Sequence, residues 1–328
     1  MKSLVLGLLI CAAPVLAAPP PYELLVVAAS TDSVPAILNG SSDEEDALNV
    51  QICDRLRLGL PMDAIQLKPA ELKKHIDELT RDELLREIDG KLTPTFPILH
   101  KADAAWFRAL DKPAVEATVK AIEAKKKDWE KRFREALQLN EVKARSLSMI
   151  LFGDVLFDRW QTKNVRNEFL DGYPPARNGK QFYAVGLEKV DGSTASLGIY
   201  THAEPHQGDY WVITYGNKRP QDPLVGLKAG DVQPLLQQGT VMVGKAAYSE
   251  LPALADLFAP ELLQILNADR AKLVAAYRAS PYVSAVSFPE FALWWYHFYD
   301  AEVVDRLIQD KVIEVPKAGY ATLIVRPD

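Results

Sequence analysis

The chain has 328 residues, of which 48% are hydrophobic and 25% charged, a composition typical of a globular protein rather than of a disordered or fibrous one. Its formal net charge is -6 at pH 7. Proteins that bind nucleic acids present a basic surface, so this charge argues against a nucleic-acid partner. A single hydrophobic core seldom serves so long a chain, and we therefore expect more than one core.

Residues 1–17 have the layout of a secretory signal peptide. Lys2 precedes the apolar run 4–13, which is followed by Pro14 and then by Val15 and Ala17 at the small-residue positions of a cleavage site. A membrane-spanning helix needs about 20 apolar residues, and the proline ends this run earlier. The sequence therefore predicts cleavage after Ala17, a secreted or periplasmic protein, and no integral membrane segment after the signal is removed.

The mature chain is predicted to contain a single cysteine. Cys11 lies inside the predicted signal peptide, which leaves Cys53 as the single cysteine of the mature chain. An internal disulfide is then impossible. Cys53 lies on a predicted helix and lacks the flanking residues of a thiol-enzyme motif, which favours a buried structural thiol over a nucleophile.

The pattern of the chain predicts an α+β fold with a helical N-terminal half, a central antiparallel β-sheet, and C-terminal helices with a terminal β-hairpin. The apolar run 24–29 fits either a strand or the start of a helix, because periodicity cannot separate the two at this length. The segments that we predict are a signal peptide at 1–17, a proline-rich and polar N-terminal segment at 18–45, a helical domain at 46–172, an antiparallel β region at 173–245, and a C-terminal α/β segment at 246–328.

Proline and capping residues predict helix starts within the helical domain. Pro69 suits the first turn of a helix, where its missing N–H is not needed. Thr80 and Glu83 have the spacing of a capping box and predict the start of a second, short helix that ends at Gly90.

The longest helix is predicted to begin at Pro113. Its basic residues, such as Lys125 and Lys131, fall mostly on other faces than its apolar ones and are interrupted by acidic residues. This mixture favours a solvated outer face over a membrane-binding surface. The apolar residues that recur every three to four positions are Val115, Val119, Ile122, Trp129, Phe133 and Leu137.

The periodicity changes after residue 172, where glycine and proline punctuate the chain. The runs 181–190, 195–201 and 209–215 are rich in aromatic and β-branched residues and are bounded by turn-forming residues. They predict an antiparallel meander, with residues 240–243 as the candidate for a fourth strand.

Seven aromatic residues occur between positions 288 and 299. They suggest either a stacking platform for flat or sugar-like ligands or a buried helix. Four of them, Phe291, Trp294, Trp295 and Phe298, have the i, i+3, i+4, i+7 spacing of a helix face, which favours the buried helix.

The last segment predicts a separate helix followed by a hairpin. Asp300 is placed to cap a helix whose apolar positions include Val303 and Leu307. Residues 312–315 and 321–325 then predict the two arms of the terminal β-hairpin.

The triplet His202, Glu204 and His206 is the strongest chemical feature of the sequence. Alternate residues of an extended chain share one face, so two imidazoles and a carboxylate could converge on a cation such as zinc. Asp209 and His297 are the candidates for further ligands. A proline and a glycine in the same loop also suit a plain polar hairpin connection, and both interpretations stay open.

Two functions from different classes follow from these patterns. The sequence lacks the Gly-x-Ser-x-Gly and Ser-x-x-Lys signatures of serine hydrolases and the glycine loop of phosphate-binding sites. The first hypothesis is therefore an exported soluble binding or scaffold protein without catalytic activity, whose ligand or protein partner the sequence does not identify. The alternative is a metal-dependent hydrolase centred on His202, Glu204 and His206, in which the metal would activate a water molecule. No cofactor is assigned beyond this metal hypothesis.

Overall fold

The computed structural model confirms an α+β fold. No helix among the described residues is long and apolar enough to span a membrane. The residues that the structure describes are 22–28, 34–35, 37, 43–170, 172–173, 175–189, 200–203, 206–207, 210–216 and 240–326.

Helices dominate both halves of the described chain. Pro69 occupies the first turn of its helix, as predicted. Two π-helical segments, Met149–Val155 and Val165–Phe169, precede and follow a short helix. The helices in these ranges are α1 (Asp43–Leu58), α2 (Pro69–Arg81), α3 (Lys101–Leu137), α4 (Glu141–Ser146), α5 (Gln161–Asn164), α6 (Lys245–Tyr248), α7 (Leu251–Ala279) and α8 (Phe288–Gln309).

The described strands form two larger sheets and one hairpin. They are β1 (Tyr22–Ala28), β2 (Leu85–Ile88), β3 (Lys91–Pro94), β4 (Ile98–Leu99), β5 (Ala176–Arg177), β6 (Lys180–Glu188), β7 (Thr201–Ala203), β8 (His206–Gln207), β9 (Tyr210–Gly216), β10 (Val241–Gly244) and β11 (Tyr320–Arg326). The first sheet has the order β1-β6-β4, with β5 also paired to β6. The second has the order β10-β11-β9-β7, with β8 also paired to β9. Among the described strands, β2 and β3 pair only with each other. Pairing is antiparallel except between β4 and β6 and between β10 and β11.

Strand β6 separates two hydrophobic cores. Side chains alternate between the faces of a strand. Tyr183 and Val185 accordingly belong to the large core, which also takes in α3, α7, α8 and the second sheet, whereas Phe182 and Ala184 belong to a smaller core beside α1 and α2. Gly186 lies where an added Cβ would be 2.5 Å from a methyl group of Val50, so glycine permits the close approach of α1. Because both faces are covered, the strand is an uninterrupted apolar run rather than an alternating one.

The predicted helix from Thr80 to Gly90 is wrong. Thr80 lies in the last turn of α2, where its hydroxyl donates to the carbonyl of Ile76 at 2.7 Å, a bond that competes with capping. The chain then forms the β2–β3 hairpin. Asp89 and Gly90 both have positive φ, 51° and 76°, as the tightest hairpin turns require.

Helix α3 begins at Lys101, not at Pro113, and the proline lies inside the helix. Packing explains the longer helix. The ring of Phe107 lies 5.3 Å from that of Phe291 and 5.1 Å from that of Phe298, both on α8. These contacts continue the apolar face of α3 past the proline.

The aromatic run forms a buried helix, as predicted. Trp294 and Trp295 are almost fully buried within α8. The separate helix predicted from Asp300 is wrong, because Asp300 is a buried residue in the interior of α8. The N-terminus of α8 is capped instead by Ser287, whose hydroxyl accepts from the backbone N–H of Glu290.

The strands predicted after residue 172 are divided between two sheets. The run 181–190 corresponds to β6 of the first sheet and the run 209–215 to β9 of the second, so the single meander is wrong. Residues 195–199 lie outside the described residues. The run 240–243 contributes β10, which pairs in parallel with β11.

The C-terminal chain reverses direction as the sequence indicates. The N–H of Gly319 donates to the carbonyl of Pro316 at 2.8 Å, and the chain then enters β11. Residues 312–315 are not strand, and β11 instead lies between β9 and β10.

Candidate functional site

The structure describes the backbone, but not the side chains, of the two histidines in the predicted metal triplet. His202 lies on β7 opposite Tyr215 of β9, and His206 lies on β8 opposite Trp211 of the same strand. Glu204 lies outside the described residues. The metal site therefore stays a prediction.

The two further ligand candidates do not extend the triplet. Asp209 lies outside the described residues. His297 is half-buried on α8, and its Nδ1 lies 2.8 Å from the carbonyl oxygen of Leu293 in the preceding turn. In the described part of the chain, no three His, Cys, Asp or Glu residues lie close enough together to hold a metal ion.

Cys53 is buried, in agreement with the structural role predicted for it. Burial raises the pKa of its thiol far above the ordinary range, and the neighbouring charge of Asp54 raises it further. The thiolate is the nucleophilic form of cysteine, so a thiol held protonated in the core is unsuited to nucleophilic catalysis.

A polar network lies where β4 and β6 end and α3 begins. Tyr22 donates its phenolic hydrogen to Oδ2 of Asp54 at 2.8 Å, and Arg57 donates to Oδ1 at 2.7 Å. Nε2 of His100 lies 3.2 Å from Oδ1 of Asp54, and its Nδ1 lies 3.4 Å from Oε2 of Glu188. These residues come from α1, β1, β6 and the start of α3, so the network joins four elements.

The electrostatics of this network favour a charged, structural arrangement. Burial raises the pKa of Asp54, but hydrogen bonds from His100, Arg57 and Tyr22 outweigh it and lower the pKa to about 2. The hydrogen bond to Asp54 raises the pKa of His100 above its ordinary value. Nε2 of His100 is in contact with Asp54 and Arg57, and Nδ1 faces Glu188, so both ring nitrogens are occupied by protein groups rather than directed at a substrate.

A second group of acids lies within the large core. Asp300 and Asp154 are both buried. Burial raises the pKa of Asp300 well above its usual range, and the nearby Asp158 and Asp154 raise it further. A neutral acid sealed in the core is not exposed to a ligand from solvent.

A cleft between α3 and α4 combines apolar and basic side chains around a cavity. Its cavity has a volume of about 130 Å³ and is bounded by the C-terminal part of α3, by α4, by the start of the π-helix that follows, and by residues 311–314. The apolar side chains of the cleft are Phe133, Leu151, Phe152 and Val312, and the basic ones are Lys126, Arg134, Arg145 and Lys311. We refer to this site as the basic cleft.

Local backbone geometry produces the walls of the basic cleft. Gln138 adopts the left-handed conformation, with φ of 54°, and ends α3. Asn140 then caps α4, its side-chain oxygen accepting from the N–H of Lys143 at 2.9 Å. At the opposite wall, Lys311 is also left-handed, with φ of 59°, and closes the end of α8. The chain thus turns sharply at both walls.

Only part of the positive charge in the basic cleft is paired. Nζ of Lys126 lies 3.8 Å from Oε1 of Glu130. Arg145 contacts two carboxylates, with Nε 3.5 Å from Oε1 of Glu314 and Nη2 4.0 Å from Oε1 of Glu141. The side chains of Arg134 and Lys311 form no hydrogen bond or ion pair with the residues that the structure describes. Nε of Arg134 is moreover shielded from solvent without a partner.

No local sequence pattern identifies the basic cleft. Arg134 falls within a helix whose basic residues fit a solvated face, and Lys311 lies far along the chain. The nearest indication is the excess of lysine and arginine between residues 125 and 134. The residues meet only because α8 ends beside the C-terminal part of α3.

Comparison of the chain with protein-family models, with curated proteins and with solved structures found no match.

Proposed function

We propose that this chain is an exported binding protein, without catalytic activity, that holds a small ligand in the basic cleft. The observation that carries the proposal is a cavity of about 130 Å³ that combines an apolar surface with unpaired hydrogen-bond donors. Ligand sites in proteins are typically concave and apolar, with a few polar groups that orient the ligand.

The roles of the reactive side chains support binding rather than catalysis. Both ring nitrogens of His100 face carboxylates, and Cys53 is buried. The buried acids Asp154 and Asp300 lie in the core instead of a cleft. Each of these groups is explained by packing or by a charge network.

Ligand binding is tested with three small probes of the same shape: benzoate, benzyl alcohol and benzylamine. We expect at least one of them to shift the NMR signals of residues in the basic cleft saturably. Ala144→Trp places a large side chain in the cleft and should abolish the shifts. Ala117→Trp, on an exposed position of α3, is the matched control and should leave them unchanged. If the wild-type protein binds none of the probes, the proposal fails.

Export is supported by the charged start, the apolar run 4–13, and Val15 and Ala17 at the small-residue positions of a cleavage site. Mass spectrometry of native protein from the periplasmic or extracellular fraction should find an N-terminus at Ala18. Recovery of protein with intact Met1 from the cytosolic fraction would contradict export. The ligand site is tested separately, by the probe titration.

The second candidate function is a metal-dependent hydrolase at His202, Glu204 and His206. In its favour, β7 and β8 pair with β9 in one continuous register, which places both histidines along the same edge of the second sheet. Elemental analysis should then find stoichiometric metal that is lost in the His202→Ala/His206→Ala variant. Metal-free protein whose melting temperature is unchanged by chelators would eliminate this function.

A further inference from the structure

The basic cleft contains an arginine, Arg134, whose donor is shielded from solvent and has no partner in the described chain. Two basic side chains elsewhere on α3 are paired: Nζ of Lys125 lies 2.7 Å from Oε2 of Glu261, and Nε of Arg132 lies 2.8 Å from Oδ2 of Asp128. Arg134 is half-buried, and its Nε is hidden from water without an acceptor in the described chain. A buried donor without a partner is destabilising, so an acceptor supplied by a ligand would satisfy it.

A neutral donor lies in the same cavity. Ser148 is 5% exposed, and its hydroxyl oxygen accepts from the backbone N–H of Glu314 at 2.8 Å. A serine hydroxyl has one hydrogen to donate in addition to the lone pairs that accept. Ser148 is therefore oriented by the protein and keeps its own hydrogen for a ligand.

The charges around the cavity favour a ligand with a negative charge. The acidic side chains at the cleft are Glu130, Glu141 and Glu314, and each lies within 4.0 Å of Lys126 or Arg145. Arg134 and Lys311 have no such partner, and the four cations of the cleft exceed its three carboxylates by one positive charge. An anion would pair with these two groups, whereas a cation would meet repulsion and the loss of its hydration.

The shape of the site selects the rest of the ligand. Phe133, Phe152 and Val312 offer an apolar surface, and the cavity volume of about 130 Å³ admits only a small body. A planar carboxylate matches the fork of hydrogen-bond donors on a guanidinium group and can receive two parallel hydrogen bonds from it.

We propose that the ligand of the basic cleft is a small organic carboxylate with an apolar body, whose carboxylate is bound by Arg134, Lys311 and Ser148. This inference rests on the proposed binding function and specifies its ligand class.

The inference is tested by titrating wild-type protein with benzoate, benzyl alcohol, benzylamine and phenyl phosphate, using calorimetry and NMR. Benzoate should bind most tightly and benzylamine least. Arg134→Gln should weaken benzoate binding about tenfold or more, the loss expected when a charge-assisted hydrogen bond is removed. Arg134→Lys, which keeps the charge but not the planar fork, should give an intermediate loss.

The matched control is Lys131→Gln, which removes the same charge from an exposed position of α3 outside the cleft. It should leave benzoate affinity unchanged, and thermal melting should show that all variants fold. Equal affinity for benzyl alcohol and benzoate, unaffected by Arg134→Gln, would overturn the inference while leaving the binding function standing. Tighter binding of phenyl phosphate than of benzoate would overturn the carboxylate assignment. Failure of every probe to bind would overturn both proposals.

Discussion

Arg177 and Glu290 form an ion pair that is closed off from solvent. Nη2 of the arginine lies 2.5 Å from Oε2 of the glutamate, and their side chains are 1% and 0% exposed. Arg177 also donates to the side chain and carbonyl of Thr95 and to the carbonyl of Phe182, while Glu290 accepts from the N–H of Ala184. The pair therefore fixes β5 and β6 of the first sheet to the start of α8.

Removing one member of this pair should be strongly destabilising. Arg177→Met leaves the carboxylate of Glu290 buried without its partner, and we expect a loss of about 3–5 kcal/mol in the free energy of unfolding, measured by urea titration. Glu261→Gln breaks the exposed pair with Lys125 and should cost less than about 1 kcal/mol. Equal effects of the two substitutions would contradict this assignment.

Trp295 should contribute to stability and not to ligand binding. Its side chain is 1% exposed and its ring lies 5.8 Å from that of Tyr299 and 5.9 Å from that of Phe169. Trp295→Ala should lower the free energy of unfolding by about 3–5 kcal/mol. Tyr173→Ala, at a side chain that is 77% exposed, should change it by less than about 0.5 kcal/mol. A Trp295→Ala variant with full stability would show that the aromatic helix has another role.

The network around His100 predicts a stability maximum at mildly acidic pH. The pKa of Asp54 is lowered to about 2, so its contribution is present above the pKa of the unfolded chain, about 3.9, and is lost as pH falls toward 2. The pKa of His100 is raised, so its contribution is complete below about 6.5 and is lost as pH rises through the folded-state value.

Melting temperatures measured from pH 2 to 9 check this window. His100→Gln should flatten the decline above pH 6.5, whereas Asp54→Asn should flatten the decline below pH 4. His75→Gln, at a histidine that contacts Asn49 and no carboxylate in the described structure, is the control for the first variant. Identical pH profiles of wild type and His100→Gln would contradict the proposed coupling.

Asp111 should destabilise the protein at neutral and alkaline pH. Both of its carboxylate oxygens are buried without a hydrogen-bond partner in the described chain. Burial, and then the charge of Glu302, raises its pKa to about 8. The folded state therefore favours the neutral acid, and its stability relative to the unfolded chain falls as pH rises from about 4 to 8.

Asp111→Asn removes this charge and should stabilise the protein by on the order of 2 kcal/mol at pH 8. The gain should shrink toward pH 4, where the folded-state acid is neutral and the unfolded one is only about half ionised. Glu116→Gln, at an exposed position of the same helix, should have little effect at either pH. If Asp111→Asn destabilises the protein equally at both pH values, the carboxylate has a favourable partner.

Patterns that depend on neighbouring residues predicted much of the fold. The i, i+3, i+4, i+7 spacing around Trp295 identified the buried helix, and Pro69 marked a helix start. The concentration of β-branched and aromatic residues located β6 and β9. These signals are local because the hydrophobic period of a helix or strand can be recognised within a short segment of sequence.

The errors arose where distant contacts or backbone conformation decided the structure. Packing of Phe107 on α8 extends α3 past a proline that suggested a helix start. The spacing of Thr80 and Glu83 fits a capping box. The hydroxyl of Thr80 instead donates to the carbonyl of Ile76, in the last turn of α2. The assignment of β6 and β9 to different sheets depends on partners such as β1 and β11, which lie far away in sequence.

The basic cleft was beyond local analysis for the same reason. Arg134 and Lys311 resemble any surface cations until the end of α8 is placed beside α3. Whether a cation is paired depends on the carboxylates that folding brings near it, and sequence spacing reports only those within one turn.

The two faces of strand β6 pack into different hydrophobic cores, and this should couple the thermal unfolding of the two cores. If either core unfolds, one face of β6 becomes exposed to solvent, and the strand that the other core packs against is destabilised. Calorimetry should therefore record one unfolding transition rather than two. Sliding the strand by a single residue would also exchange Tyr183 and Val185 with Phe182 and Ala184, mismatching both sides at once. The register of this nine-residue strand is therefore specified by both cores.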